Sequence, residues 1–197
     1  MKPTRPNTKL FHETASQTAG PYVHIGLTPH ATGIALYDHE AGSRVAGPQT
    51  QGERIRVHGV VWDGQGDPVR DVLIEVWQPN AAGHFAGSDT AEADFQGWGR
   101  IVSDFDTGEW RLDTIKPGAP EGQAPHLHLW IVARGINTGL HTRMYFPDEP
   151  RNADDPVLTM IDVAEHRQTL IAAHLGDGAY RFDISLQGAS ETVFFDV

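Results

Sequence analysis

Stretches in which apolar and polar residues alternate recur along the chain and predict strands. In 54–62, Ile55, Val57 and Val61 alternate with Arg56, His58 and Val60, and 180–186 repeats the pattern with four apolar residues on alternate positions. Because successive side chains of a strand point to opposite faces, each stretch predicts a strand with one buried face. Further apolar stretches bring the total to at least six predicted strands: 72–77, 110–115, 126–133 and 192–197.

Glycine and proline separate these strands and predict the fold class. The chain has 21 glycines and 13 prolines, spaced so that turns fall between short apolar stretches. This pattern favours an all-β, antiparallel β-sandwich with long loops. The turn 63–68 is expected to join the first two strands as neighbours in a hairpin. One short helix is predicted near 154–161, because Asp155 can cap it and Pro156 suits its first position.

The N-terminal part of the chain has a different character. Residues 1–25 are rich in polar residues and proline and show no clear periodicity, so they form either a tail or an extended arm that packs on another surface. We therefore expect an N-terminal arm and connecting segment over 1–49 and a sandwich over 50–197. Five tryptophans lie in or beside predicted strands, and we expect them to pack in the core or at an interface: Trp62, Trp77, Trp98, Trp110 and Trp130.

Charge and composition argue against several functional classes. The net charge of -11 repels nucleic-acid phosphates and anionic lipid headgroups. No stretch approaches the roughly 18 apolar residues of a membrane helix, and we expect a cytoplasmic location. The absence of cysteine excludes thiolate nucleophiles and zinc–thiolate sites.

Two histidines in the stretch APHLHLW (124–130) are the candidate chemistry. His126 and His128 lie on one face of a predicted strand, about 6.5–7 Å apart along it. A mononuclear metal site needs three or four protein ligands, and the other nine histidines form no second cluster with ligand spacing. The pattern leaves two interpretations open: half of a metal site, or a hydrogen-bonded pair that lines a polar pocket.

Residues 57–85, VHGVVWDGQGDPVRDVLIEVWQPNAAGHF, resemble the signature of the intradiol ring-cleavage dioxygenases. The resemblance continues through GWGR (97–100), TIKPGAP (114–120), APHLHLW and ARGINTGLHTRMYF (133–146), and covers roughly residues 15–197. It implies a β-sandwich and an activity that cleaves the ring of a catechol with O2.

The resemblance also implies a metal that this chain is not equipped to hold. Iron-bearing members bind Fe(III) through two tyrosines and two histidines, and the tyrosine positions correspond here to Phe85 and to Pro120. Fe(III) requires anionic oxygen donors, so we expect His126 and His128 to be a vestigial half-site and this chain alone to carry no catalytic residue. Gln123 occupies the position of a family arginine that precedes the histidine strand.

A chain of this kind is implied to work with a partner. The resemblance indicates a large hetero-oligomer with a homologous beta chain that carries Fe(III), with 3,4-dihydroxybenzoate and O2 bound at the interface. The residues implied to bind substrate are Thr18, Gly20, Pro21 and Arg134.

Arg134 suits the carboxylate of such a substrate, because a guanidinium grips a carboxylate with two parallel hydrogen bonds. Arg143 is the competing candidate, and either arginine could instead form a surface ion pair. Two other functions remain possible from the residues alone: a stand-alone metalloenzyme that uses His126 and His128, and a non-catalytic scaffold module.

Overall fold

Two facing β-sheets form the fold in a computed structural model that describes residues 17–88 and 92–196. Residues 1–16 of the predicted arm and Val197 of the predicted last strand lie outside these ranges. The strands are β1 (Arg54–Trp62), β2 (Leu73–Trp77), β3 (Trp98–Val102), β4 (Glu109–Ile115), β5 (His126–Val132), β6 (Leu140–Tyr145), β7 (Ala173–Gly176), β8 (Ala179–Arg181) and β9 (Ile184–Ser185). The helices are α1 (Pro21–Leu27), α2 (Pro156–Met160) and α3 (Ala164–Gln168), and 3-10 turns span Pro29–Thr32 and Pro150–Ala153.

The first sheet has the order β4-β1-β8-β7, and β9 pairs with the end of β1. The second sheet has the order β3-β2-β5-β6 and is antiparallel throughout. Only the pairings of β1 with β8 and β9 are parallel among the described strands. The predicted β-sandwich is therefore confirmed.

Alternating apolar residues of the two sheets form the core. Val57, Ile74, Leu127 and Leu129 are essentially inaccessible to solvent, and Trp110 lies among them with 1% of its surface exposed. Burial of a side chain of this kind stabilises the fold by about 1.5–3 kcal/mol. The strand periodicity read from the sequence is thus the pattern that builds the core.

The predicted hairpin between the first two strands is wrong. The turn 63–68 folds back only as far as a bridge between Trp62 and Pro68, after which the chain crosses to the second sheet and begins β2 at Leu73. Both strands bury their apolar faces in the same core, and they do so by lying face to face. Alternation alone does not distinguish this arrangement from edge-to-edge pairing.

Two other predicted strands are interrupted or absent. The stretch 180–186 is split between β8 and β9, because the carboxylate of Asp183 accepts the hydrogen bond of the Val60 amide at 2.9 Å in place of a strand carbonyl. Gly59 permits this close passage, since a Cβ there would clash with the Phe182 carbonyl. In 192–196 the described backbone makes only one bridge, between Phe195 and His141, and no continuous strand.

The predicted short helix is confirmed as α2. The carboxylate of Asp155 accepts hydrogen bonds from the amides of Val157 and Leu158 at 2.9 and 3.0 Å, and Pro156 is the first residue of the helix. The helix α1 was not predicted, because the Gly20-Pro21 pair that marks its start is equally typical of a turn. Among the described residues no helix is long and apolar enough to cross a membrane, and the cytoplasmic location stays a prediction.

Asp155 joins α2 to the second sheet. Besides capping the helix, it accepts from the Ala124 amide at 2.8 Å and from the Tyr145 hydroxyl at 3.1 Å, and its side chain is buried. It therefore fixes the start of β5 and the end of β6 relative to the helix.

Replacement of Asp155 by Ala should destabilise the protein strongly. The change removes the helix cap and leaves buried donors without an acceptor, for an expected loss of about 2–4 kcal/mol in the free energy of unfolding. Urea denaturation measures this loss. The neighbouring change Asp154→Ala, at an exposed side chain, should cost less than about 0.5 kcal/mol, and equal losses in the two variants would contradict the assigned role.

Candidate functional site

His126 and His128 point away from the core, on the same face of β5. Leu127 and Leu129 point into the core on the other face, as the spacing predicts. The Nε2 atoms of the two histidines lie 2.9 Å apart, and their ring centroids 4.5 Å apart. The rings therefore turn toward each other, and the atoms that could bind a metal are engaged in a mutual hydrogen bond.

The hydrogen bonds assign a protonation state to this pair. His126 Nδ1 lies 2.7 Å from the Ala124 carbonyl oxygen, so it carries a proton and donates it. His126 Nε2 is then without a proton and accepts from the Nε2–H of His128. Burial, with a contribution from the Arg143 charge, lowers the pKa of His126 to about 4. Burial, the neighbouring His126 ring and Arg143 lower the pKa of His128 to about 3, so both rings are neutral at pH 7.

A network of polar side chains surrounds the pair. Arg143 lies opposite His128 on β6, and its Nη1 donates to Gln123 Oε1 at 2.7 Å and to the Tyr145 hydroxyl at 3.2 Å. Tyr145 donates in turn to Asp155. Burial raises the pKa of Tyr145 well above its usual value, so its phenol stays protonated.

Of the two positions that the resemblance assigns to lost tyrosines, Phe85 lies close to this pair in the fold. The Phe85 ring is 6.2 Å from the His128 ring, measured between centroids. The segment of Pro120 contacts the same loop, because Gly118 donates its amide proton to the Asn80 carbonyl at 2.9 Å. Neither side chain has an oxygen that could bind a metal.

Fe(III), the metal that the family resemblance implies, does not fit these residues. A ferric site requires anionic oxygen donors, whereas the pair offers two neutral imidazoles bonded to each other beside the positive charge of Arg143. The one neighbouring phenol, Tyr145, is protonated and donates to Asp155. Over residues 17–88 and 92–196, no group of three or more histidine, aspartate or glutamate side chains is arranged to hold a metal ion.

A second set of predicted residues meets at the other end of β5. Thr18 Oγ1 accepts from the Gly135 amide at 2.5 Å and donates to the Ala133 carbonyl at 3.3 Å. This contact fixes the N-terminal segment against the loop that carries Arg134. The Arg134 side chain is 68% exposed, and its only described carboxylate partner is Asp71, at 3.4 Å.

The helix α1 positions Gly20 and Pro21 beside this loop. Gly20 precedes its first turn, and Pro21 is its first residue, so the Gly20-Pro21 pair is the start of a helix. His24 is buried against Phe105 with ring centroids 5.5 Å apart, and burial lowers its pKa. At the end of the helix, Arg100 Nη1 donates to the Leu27 carbonyl at 3.0 Å.

The fold thus brings together Thr18, Gly20, Pro21 and Arg134, and separately His126, His128 and Phe85. His128 and the end of β5 at Val132 are about 13 Å apart along the strand, and Arg134 follows two residues later in a turn. Sequence reasoning named Asp155 only as a helix cap and gave Tyr145 no role, although both belong to the polar network around the histidine pair. It also named Gln123 and Arg143 separately. Nothing in the sequence indicates the hydrogen bond between these two residues, which are 20 positions apart.

Three comparisons with known proteins bear on these sites. Residues 27–188 match the family model described as a dioxygenase. The alpha chain of protocatechuate 3,4-dioxygenase from Pseudomonas putida is 48% identical over 197 residues, which cover 95% of this chain and 98% of that protein. The beta chain of protocatechuate 3,4-dioxygenase from Burkholderia cepacia is 36% identical over 210 residues, which cover 96% of this chain and 86% of that protein.

A solved structure shares the fold. The dioxygenase domain of a dioxygenase–carbohydrate-binding protein fusion from Streptomyces sp. SirexAA-E aligns with a TM-score of 0.55 and 29% sequence identity, covering 75% of this chain and 89% of that chain.

Acidification should destabilise the fold through the histidine pair. Both rings have a lowered pKa in the folded protein, whereas in the unfolded chain the ordinary value is about 6.5. The unfolded chain therefore binds more protons below that pH, and this part of the stability is full above about pH 6.5 and is lost as the pH falls toward 4 and then 3.

We expect the free energy of unfolding to fall between pH 7 and about pH 5 and to fall by less in His128→Gln, whose amide can still donate to His126. Urea unfolding at the two pH values measures the difference. His166→Gln, at an exposed histidine, is the matched control and should behave as wild type. A His128→Gln protein with the full wild-type pH dependence would rule out the neutral pair.

Proposed function

The chain belongs to the intradiol ring-cleavage dioxygenase family, and on that premise we propose that it acts as the alpha subunit of a protocatechuate 3,4-dioxygenase. The family model and the similarity to alpha chains over nearly the whole length support this assignment. The complex would cleave 3,4-dihydroxybenzoate between its two hydroxylated carbons with O2 and give 3-carboxy-cis,cis-muconate. This chain would bind and orient the substrate without holding the metal.

Iron in this proposal belongs to a homologous beta partner. Relatives of this chain carry the names of alpha and beta chains of the same enzyme, which supports an αβ hetero-oligomer. The partner's Fe(III) would supply the activation of the catechol toward O2. The hydrogen-bonded pair of His126 and His128 supports the assignment of that metal to the partner, because the two rings offer it no anionic donor.

Arg134 is the proposed anchor for the substrate carboxylate, and the exposure of its guanidinium is the observation that supports this role. Its side chain is 68% exposed, and its pairing with Asp71 is a loose contact of 3.4 Å. A surface ion pair of this kind stabilises a protein by only about 0–1 kcal/mol. A carboxylate ligand that accepts two hydrogen bonds can therefore displace it. Arg143 lies instead beside Gln123 and Tyr145 on the outer face of the second sheet.

The N-terminal segment would form the wall beside this anchor. Thr18 ties the segment to the Arg134 loop, and Gly20 adds no side-chain bulk before the helix begins at Pro21. A flat aromatic ring could approach such a wall closely. We extend this role to the arm and connecting segment 1–49 as the part of the chain that meets the partner.

Arg134→Ala should weaken substrate binding in the αβ complex. Loss of a charge-assisted pair of about 1.5–3 kcal/mol predicts a rise in the KM for 3,4-dihydroxybenzoate of about one to three orders of magnitude. Steady-state oxygen uptake by the co-expressed complex measures this constant.

Two controls separate carboxylate binding from a general defect. Arg111→Ala removes another exposed arginine that pairs with a carboxylate, Asp113, and should leave the KM as in wild type. Catechol, which lacks the carboxylate, should have the same KM with Arg134→Ala as with wild type. An unchanged KM for 3,4-dihydroxybenzoate, or an equal rise for catechol, would contradict the role of Arg134.

A further inference from the structure

A groove on the outer face of the second sheet is not used by the proposed function. It has a volume of about 490 Å³ and is lined by three indole rings, those of Trp77, Trp98 and Trp130, together with His128 and Arg143. We propose that this groove binds a planar aromatic carboxylate without a metal, with Arg143 as the anion-binding group and the indoles as walls.

Strand pairing builds the groove as an ordered surface. Trp98, Trp77, His128 and Arg143 lie opposite one another on β3, β2, β5 and β6, so they form one row across the sheet. Trp130 belongs to the next row on the same face. The tryptophans of this face therefore do not pack in the core as Trp110 does, and they present aromatic surface beside a guanidinium.

The aromatic walls are held in place before any ligand arrives. The ring of Trp77 stacks on Phe85 with centroids 6.0 Å apart and an angle of 6° between the planes. Arg100 lies over Trp98, 5.1 Å from the ring centroid. Walls fixed in this way lose little conformational entropy when a flat ring enters.

Arg143 supplies a positive charge that no carboxylate neutralises within the described part of the chain. Its Nη1 donates to two neutral oxygens, those of Gln123 and Tyr145. No described residue accepts from its Nη2 or Nε. A buried or half-buried guanidinium favours a planar partner that accepts two hydrogen bonds, and a carboxylate has that shape.

The acidic residues at the groove leave this charge available. Both carboxylate oxygens of Glu75 are engaged: Arg100 donates to Oε1 through Nε at 2.9 Å and Nη2 at 2.6 Å, and Trp98 Nε1 lies 3.4 Å from Oε2. Asp196 is exposed at the rim. His128 is neutral, so Arg143 is the cationic side chain beside these apolar walls, and this combination favours an aromatic acid over a strongly hydrated phosphate.

The volume also matches a ligand of this class. Small-molecule sites usually enclose about 300–1,000 Å³, so a benzoate ring fits with room for further substituents. The probes are therefore benzoate and benzamide, two ligands with the same ring that differ in charge.

The experiment titrates each probe into the full-length chain, with and without a metal chelator, and follows tryptophan fluorescence and heat. We expect one benzoate per chain and an affinity for benzamide at least about tenfold weaker. Arg143→Gln should weaken the affinity for benzoate by about tenfold or more and leave the affinity for benzamide unchanged. Arg111→Gln, at an exposed arginine of the other sheet, should bind both probes as wild type does.

Several outcomes would overturn the proposal. Equal affinity for the two probes would show that no charge is recognised, and this comparison needs no variant that could fail to fold. Benzoate binding that is unaffected by Arg143→Gln would place the ligand elsewhere, and binding abolished by the chelator would show a metal. Loss of the Arg143-dependent benzoate binding on assembly with the beta partner would overturn the proposal for the assembled enzyme, because the partner would then cover the groove. None of these outcomes bears on the KM effect of Arg134→Ala.

Discussion

The position of β5 between β2 and β6 is the constraint on which both sites depend. Its alternation places Leu127 and Leu129 in the core and His126 and His128 on the opposite face. Its register with β6 sets Arg143 opposite His128, and its far end leads directly into Ala133 and Arg134. A slip of one residue would exchange the two faces of the strand and dismantle both the core and the sites. The buried carboxylate of Asp155 helps to hold this strand through the Ala124 amide.

The histidine pair shows how two neighbouring imidazoles are arranged when no anionic ligand lies beside them. Two imidazoles that face a common space, without phenolates to neutralise a cation, satisfy each other through one hydrogen bond. The nearby guanidinium of Arg143 adds a positive charge where a metal would need negative ones, and it lowers the pKa of both rings further. The positive charge of Arg143, and not only the absence of an oxygen ligand at Phe85 and Pro120, therefore disfavours a cation at this position.

Much of the fold and part of the candidate site could be predicted from the sequence. The strand alternation, the cap of α2 at Asp155 and the shared face of His126 and His128 all depend on local spacing, and the structure confirms them. The partner strand of β1 could not be predicted, because an apolar alternation fits face-to-face and edge-to-edge packing equally well. β3 and β6 were not predicted as strands, since their stretches are short and β6 carries His141 and Arg143 on its outer face.

The contacts that define the chemistry are long-range, which is why sequence reasoning did not reach them. Gln123 and Arg143 come from different strands or loops, as do Tyr145 and Asp155, and only the assembled sheet brings each pair within hydrogen-bond distance. The same holds for Thr18 and Gly135, which are 117 residues apart in sequence. The family resemblance singled out Thr18, Arg134 and the histidines, and the structure shows how β5 relates them.

The iron content of this chain shows whether the chain holds the metal itself or works in complex with a partner that does. The chain purified alone and the chain co-expressed with a homologous beta partner would be compared by elemental analysis per mole of chain. We expect no stoichiometric iron in the chain alone and one iron for each αβ pair in the complex. Stoichiometric metal in the isolated chain, lost when His126 and His128 are both replaced by Gln, would contradict this expectation.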